Sequence, residues 1–131
     1  MTTATGMGLR LELFVRDLDA SLAFYCRVLG FELVRREPGY ASVRCGGVTF
    51  GLGPISRLPP KDGYFTQARL EEDRGAGVEI VLEVNDVTAY HERVTGFGYP
   101  ILHELQRRPW GLTDFRIADP DGYYLRITSK E

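Results

Sequence analysis

The chain has 131 residues, 44% hydrophobic and 26% charged, enough for one domain to bury a core without a disulfide scaffold. Sixteen basic against eighteen acidic side chains leave a formal charge of -2, which excludes a broad cationic face for nucleic acid and a disordered acidic tail. No apolar run approaches the roughly 18–20 residues of a membrane helix, and MTTATGMG lacks the basic and apolar regions of a secretory signal.

Residues 9–16 alternate Leu9, Leu11, Leu13 and Val15 with Arg10, Glu12, Phe14 and Arg16, the period of a half-buried strand. Asp17 is placed to cap a helix over 18–29 whose face is Leu18, Leu22, Tyr25 and Leu29, with Gly30 as its left-handed stop. Three short strands are predicted next, over 31–36, 40–45 and 48–53, with turns at Pro38-Gly39 and Gly46-Gly47. Residues 54–76 read as a linker, with Pro54, Pro59, Pro60, Asp62-Gly63 and the charged run Glu71-Glu72-Asp73-Arg74. Tyr64 and Phe65 in it are candidates for a lid or a subunit contact.

The plan then recurs. Residues 78–85 form a second alternating strand, Asp86 caps a helix over 87–97 faced by Val87, Tyr90, Val94 and Phe97, and Gly98 stops it. Strands over 99–107, 112–118 and 123–129 follow, with turns at Pro109-Trp110-Gly111 and Asp119-Pro120-Asp121-Gly122. Val15-x-Asp17-Leu18-x-Ala20 matches Val84-x-Asp86-Val87-x-Ala89 at a constant offset of 69 (84 against 15), so the unit is duplicated. The expectation is an α+β fold: two tandem βαβββ modules, about 9–53 and 77–129, in one domain spanning 1–131, with a curved sheet around a concave cavity.

Paired modules of this kind, with Val-Arg-Asp-Leu-Asp-Ala-Ser-Leu-Ala-Phe-Tyr at 15–25 and Asp-Pro-Asp-Gly at 119–122, resemble the glyoxalase, bleomycin-resistance and extradiol-dioxygenase superfamily. The resemblance runs from residue 9 to 129. It implies that metal-dependent members take four ligands, typically His, Gln or Glu, from the first and last strand of each module. The matching positions here are Arg10, Gly51, Glu79 and Arg126. An arginine offers only N–H donors and repels a divalent cation, so no metal and no cofactor are expected. His91 and His103 fall elsewhere, His91 on the second helix in an exposed structural role. Arg108-Pro109-Trp110-Gly111 followed by Asp114-Phe115-Arg116 is similar to the bleomycin-binding members, which sequester ligands at a dimer interface and do no chemistry. The charge of -2 suits a strongly cationic ligand poorly.

The expected ligand-binding residues are Arg10, Phe14, Glu79, Trp110, Tyr124 and Arg126. The three charged ones either orient a ligand or form a satisfied ion-pair cluster. Phe50 is assigned to the core by alternation, Cys45 to unreactive packing, and Asp119 and Asp121 to turn formation; Cys26 and Cys45 have no metal-like spacing. No phosphate-binding loop or nucleophile elbow is present. The functional expectation is a metal-free, cytoplasmic homodimer that sequesters an aromatic natural product, with no membrane or nucleic-acid partner. The alternative is a metal-dependent glyoxalase-type lyase or isomerase, or a dioxygenase, with ligands such as Glu12, Glu79 and His103.

Overall fold

The computed structural model describes residues 5–71 and 74–131, so Glu72 and Asp73 of the predicted charged run lie outside the described residues. Eight strands are arranged as two sheets of four. β1 (Leu11–Val15), β2 (Glu32–Glu37), β3 (Tyr40–Cys45) and β4 (Val48–Pro54) form the first, in the order β1-β4-β3-β2. β5 (Glu79–Val84), β6 (His103–Arg107), β7 (Thr113–Ala118) and β8 (Tyr124–Ser129) form the second, in the order β5-β8-β7-β6. In both, the first strand lies parallel to the last and the remaining pairs are antiparallel. The α+β class and the two βαβββ modules stand as expected.

Both helices begin where an aspartate can satisfy a free N–H of the first turn. Asp17 accepts from Ala20 N at 3.2 Å to open α1 (Leu18–Leu22), and Asp86 accepts from Ala89 N at 3.0 Å to open α2 (Val87–Gly96). After them, Gly30 and Gly98 take φ of +80° and +72°, conformations that favour glycine.

The first helix departs from the expected regular span. From Ala23 to Val28 it widens into a π-helix, with Leu29 N donating to Phe24 O. The neighbours Phe24 and Tyr25 are consequently both buried. β6 is also shorter than the predicted 99–107. Pro100 has no N–H to give, and pairing starts where Leu102 N donates to Arg116 O.

In β1, β3, β4, β5, β7 and β8 most of the apolar residues are buried on the helix side, whereas β2 is exposed along its length. Leu13, Val15, Val43, Phe50 and Leu52 of the first sheet join Ile80, Leu82, Phe115, Ile117, Leu125 and Ile127 of the second in one continuous core. The two modules thus share one cluster of buried side chains.

The segment after β4 is more than a linker. Ile55–Arg57 form a 3-10 turn, Thr66 is fully buried, and Arg74, at the end of the charged run, is buried against Asp121 at 3.1 Å. The Asp-Pro-Asp-Gly turn is the hub of this packing. Asp119 accepts from Asp121 N, Tyr123 N and the Tyr25 hydroxyl, at 2.8, 2.9 and 2.7 Å. Asp121 accepts from Arg16 N at 2.9 Å, and the Tyr123 hydroxyl bonds the Phe14 backbone. These aspartates shape the turn and also tie module two to module one. Burial, the largest influence, raises the Asp119 pKa, although its hydrogen bonds pull the other way.

Candidate functional site

The faces of the sheets that point away from the core carry the polar residues. In module one these are Glu12 and Phe14 of β1, Tyr40, Ser42 and Arg44 of β3, and Thr49, Gly51 and Gly53 of β4, with Arg10 just before β1. Glu12 stands directly opposite Gly51 in the ladder, as does Ser42 from the other side. The Glu12 carboxylate accepts from the Tyr40 hydroxyl at 3.0 Å and pairs with Arg10 at 2.9 Å. Both Glu12 and Tyr40 lean over Gly51: a Cβ there would lie 2.2 Å from the Tyr40 hydroxyl and 2.3 Å from Glu12 Oε2. The pKa of Tyr40 is raised, first by burial and then by Glu12.

A cleft of about 440 Å³ opens on this face, lined in part by Arg10, Arg35, Tyr40, Ser42, Arg44 and Thr49. Its size falls in the range of small-molecule sites. An irregularity in the β2–β3 pairing between Leu33 and Arg35 brings both Val34 and Arg35 to the cleft wall. Arg35 lies over the Tyr40 ring at 5.2 Å. Arg35, Tyr40, Ser42, Arg44 and Thr49 were absent from the expected set. The alternation of Tyr40, Ser42 and Arg44 with buried Ala41 and Val43 was the available signal for three of them, whereas Arg35 depends on the bulge.

Phe14 meets Phe65 in a tilted contact at 4.7 Å, and Phe65 meets Tyr64 edge-on at 5.0 Å. Arg69 sits 4.7 Å from the Tyr64 ring. The segment joining the modules thus lays two exposed aromatics next to the module-one face.

Module two treats its charges differently. Asp114 is fully buried between Arg108 and Arg116, at 2.9 and 3.2 Å. Burial pushes this carboxyl up, but hydrogen bonds from Arg116 and Arg108 outweigh it and hold the group below its usual pKa. Arg116 is raised in turn, first by Asp114 and then by the Tyr124 hydroxyl. Arg126 donates to Glu79 at 3.2 Å, while its buried Nε has no hydrogen-bond partner among the described residues. Glu79 and Tyr124 line a separate open cleft with Gly75, Gly77 and Gly122.

The six expected site residues therefore fall into separate groups. Arg10 stands with Glu12 and Tyr40, Phe14 with Phe65, and Glu79 with Arg126 and Tyr124. Trp110 is exposed in the turn between β6 and β7 and has no ring contact among the described residues. His91 is half-buried on α2, bonded to Glu104 at 3.0 Å and edge-on to Phe115 at 5.1 Å.

The duplicated module and its clefts define a two-module fold that is shared by enzymes and binding proteins. The chain belongs to the Glyoxalase/Bleomycin resistance protein/Dioxygenase superfamily, which matches residues 9–127. It is 28% identical over 123 residues to a bleomycin resistance protein of Klebsiella pneumoniae, covering 88% of this chain and 86% of that one. It is 30% identical over 115 residues to a probable lactoylglutathione lyase of Synechocystis, covering 86% and 87%. A glyoxalase/bleomycin resistance protein/dioxygenase from Nocardioides superposes with a TM-score of 0.75 at 26% identity, covering 98% of this chain and 85% of that one.

Enzymes of this family that use a metal need lone-pair donors on these strands. Arg10 and Arg126 provide none, Gly51 has no side chain, and Glu79 is engaged by Arg126. No group of three or more His, Cys, Asp or Glu side chains among the described residues is placed to hold an ion. The donor set does not fit a metal. No helix among the described residues is long and apolar enough to cross a membrane.

Proposed function

We propose that the chain is a metal-free, cytoplasmic small-molecule-binding protein that acts by sequestration, as a homodimer. The observation that carries this reading is the chemistry at the expected ligand positions. Arg10 is tied to Glu12, Arg126 to Glu79, and Gly51 is overhung by Glu12 and Tyr40. The lyase reading would require a metal where two guanidiniums now stand. The similarity to bleomycin resistance proteins points toward binding without chemistry.

The binding set under this reading is Arg10, Phe14, Glu79, Tyr124, Arg126 and Trp110, with rings to stack a planar ligand and arginines to orient it. Dimerisation is supported by the exposed apolar side chains of Leu9, Val81, Phe65 and Trp110 and by two open clefts that a second copy can cover.

The test combines elemental analysis with titration. Protein dialysed without chelator is expected to retain well below one equivalent of zinc, nickel, iron or manganese. Calorimetric titration with bleomycin and with 1-naphthoate is expected to show saturable binding of at least one, recovered intact by mass spectrometry. Stoichiometric metal, conversion of the bound compound, or binding of neither overturns the reading. Light scattering at micromolar concentration is expected to give twice the chain mass; a monomer contradicts the assembly.

A further inference from the structure

The module-one cleft has a chemical bias that the pairing of its charges defines. Its ionisable lining among the described residues consists of Arg10, Arg35, Arg44 and the Tyr40 phenol, and no acidic side chain among them lines it. Glu12 holds Arg10 at 2.9 Å and Glu37 holds Arg35 at 3.4 Å, yet neither carboxylate is part of the cleft wall. A guanidinium carries five N–H donors, so one carboxylate leaves several over. Arg44 is freer still. Its one hydrogen bond among the described residues runs from Nε to Thr49 Oγ1 at 3.4 Å, and it makes no ion pair among them. Glu32 faces it across the ladder and does not pair with it.

We infer that this cleft binds an anionic group of the ligand, a carboxylate or a phosphate, with Arg44 as the principal donor. Arg10 and Arg35 flank that anion, Ser42 and Thr49 of the same lining offer hydroxyls, and the ligand's apolar body rests on Val34 and Leu9. An arginine fork matches carboxylate and phosphate oxygens in pairs, which gives orientation as well as attraction. The local preference is opposite in sign to the chain's net charge of -2, so it is a property of the site and not of the composition.

This inference deepens the binding function proposed above and rests on it. The experiment separates the two. Full-length protein is titrated with 1-naphthoate, 1-naphthyl phosphate, 1-naphthylmethylamine and bleomycin. The expected result is saturable binding of one or both anions and at least tenfold weaker binding of the amine. Arg44→Ala is expected to weaken the anion by about tenfold or more, Arg35→Ala to weaken it by less, and Arg107→Ala, on β6, to leave it unchanged. Naphthoate and naphthyl phosphate together tell carboxylate from phosphate. Binding of the amine or bleomycin in preference to both anions overturns the anion site while the sequestration reading survives. Anion binding that Arg44→Ala and Arg35→Ala leave intact in folded protein also overturns it. Anion binding followed by chemical conversion keeps the anion site and overturns sequestration instead.

Discussion

Modules one and two share strand order, capping aspartates and a core, but their outward faces use arginine in opposite ways. In module two, Arg108 and Arg116 enclose a fully buried Asp114, and Arg126 is bonded to Glu79. The charges around buried Asp114 hold the sheet in shape. In module one, Arg10 and Arg35 form exposed pairs and Arg44 forms none among the described residues, around a cleft of about 440 Å³. Exposed pairs of this kind contribute roughly 0–1 kcal/mol each, so these arginines do little for the fold and are available to a ligand. Duplication preserved the scaffold, while burial decided which copy's charges became structural.

The contact between the joining segment and module two offers the largest effect. Arg74 and Asp121 are both nearly inaccessible, with side-chain exposures of 1% and 3%, and removing one leaves an uncompensated buried charge. Arg74→Met is expected to cost about 3–5 kcal/mol in urea unfolding. A loss below about 1 kcal/mol would mean that the joining segment is not held to module two through this pair.

The contrast between the two faces is tested by removing one arginine from each. Arg116→Ala strips a charged donor from buried Asp114 and is expected to cost about 1–3 kcal/mol. Arg44→Ala, at an exposed position without an ion pair among the described residues, is expected to change stability by no more than about 0.5 kcal/mol. Equal costs would erase the distinction between structural and available arginines.

A smaller effect lies at high pH. Burial is the first cause that pushes Tyr90 and Tyr99 up to about 12 and that also raises Tyr25 and Tyr123. A tyrosine with a raised folded pKa contributes stability that is fully present below its unfolded value of about 10 and is lost as pH rises through the folded one. The urea midpoint is therefore expected to hold below pH ~10 and fall between there and pH ~12. A midpoint unchanged across that window would contradict the burial of these phenols.

The smallest effect sharpens the description of the cleft. Glu12→Gln removes a negative charge beside the Tyr40 hydroxyl and is expected to lower the Tyr40 pKa, measured by phenolate absorbance against a Tyr40→Phe reference. Burial, the first cause of the raised value, remains, so the group should stay above its ordinary range. No change would show that Glu12 and Tyr40 do not meet over Gly51.

Much of the scaffold was legible because its signals are local. The offset-69 repeat, the capping Asp17 and Asp86, and the stops at Gly30 and Gly98 each act within a few residues. The site was less legible. The β2 bulge inverts the alternation that placed every other strand residue, so Arg35 could not be assigned to the cleft by counting. Arg74 read only as part of a charged run in the linker, because its partner lies 47 positions away (121 against 74).

By itself, then, the sequence determined the α+β class, the duplication, the core faces and the family, since periodicity and turn chemistry are carried by neighbours along the chain. Tertiary structure alone decided that β1 lies parallel to β4 and that Glu12 leans over Gly51. It also decided that Arg10 joins Glu12 while Arg126 joins Glu79. These are meetings of residues far apart in the chain, and which charge finds which partner depends on how two sheets pack, a quantity no local pattern encodes.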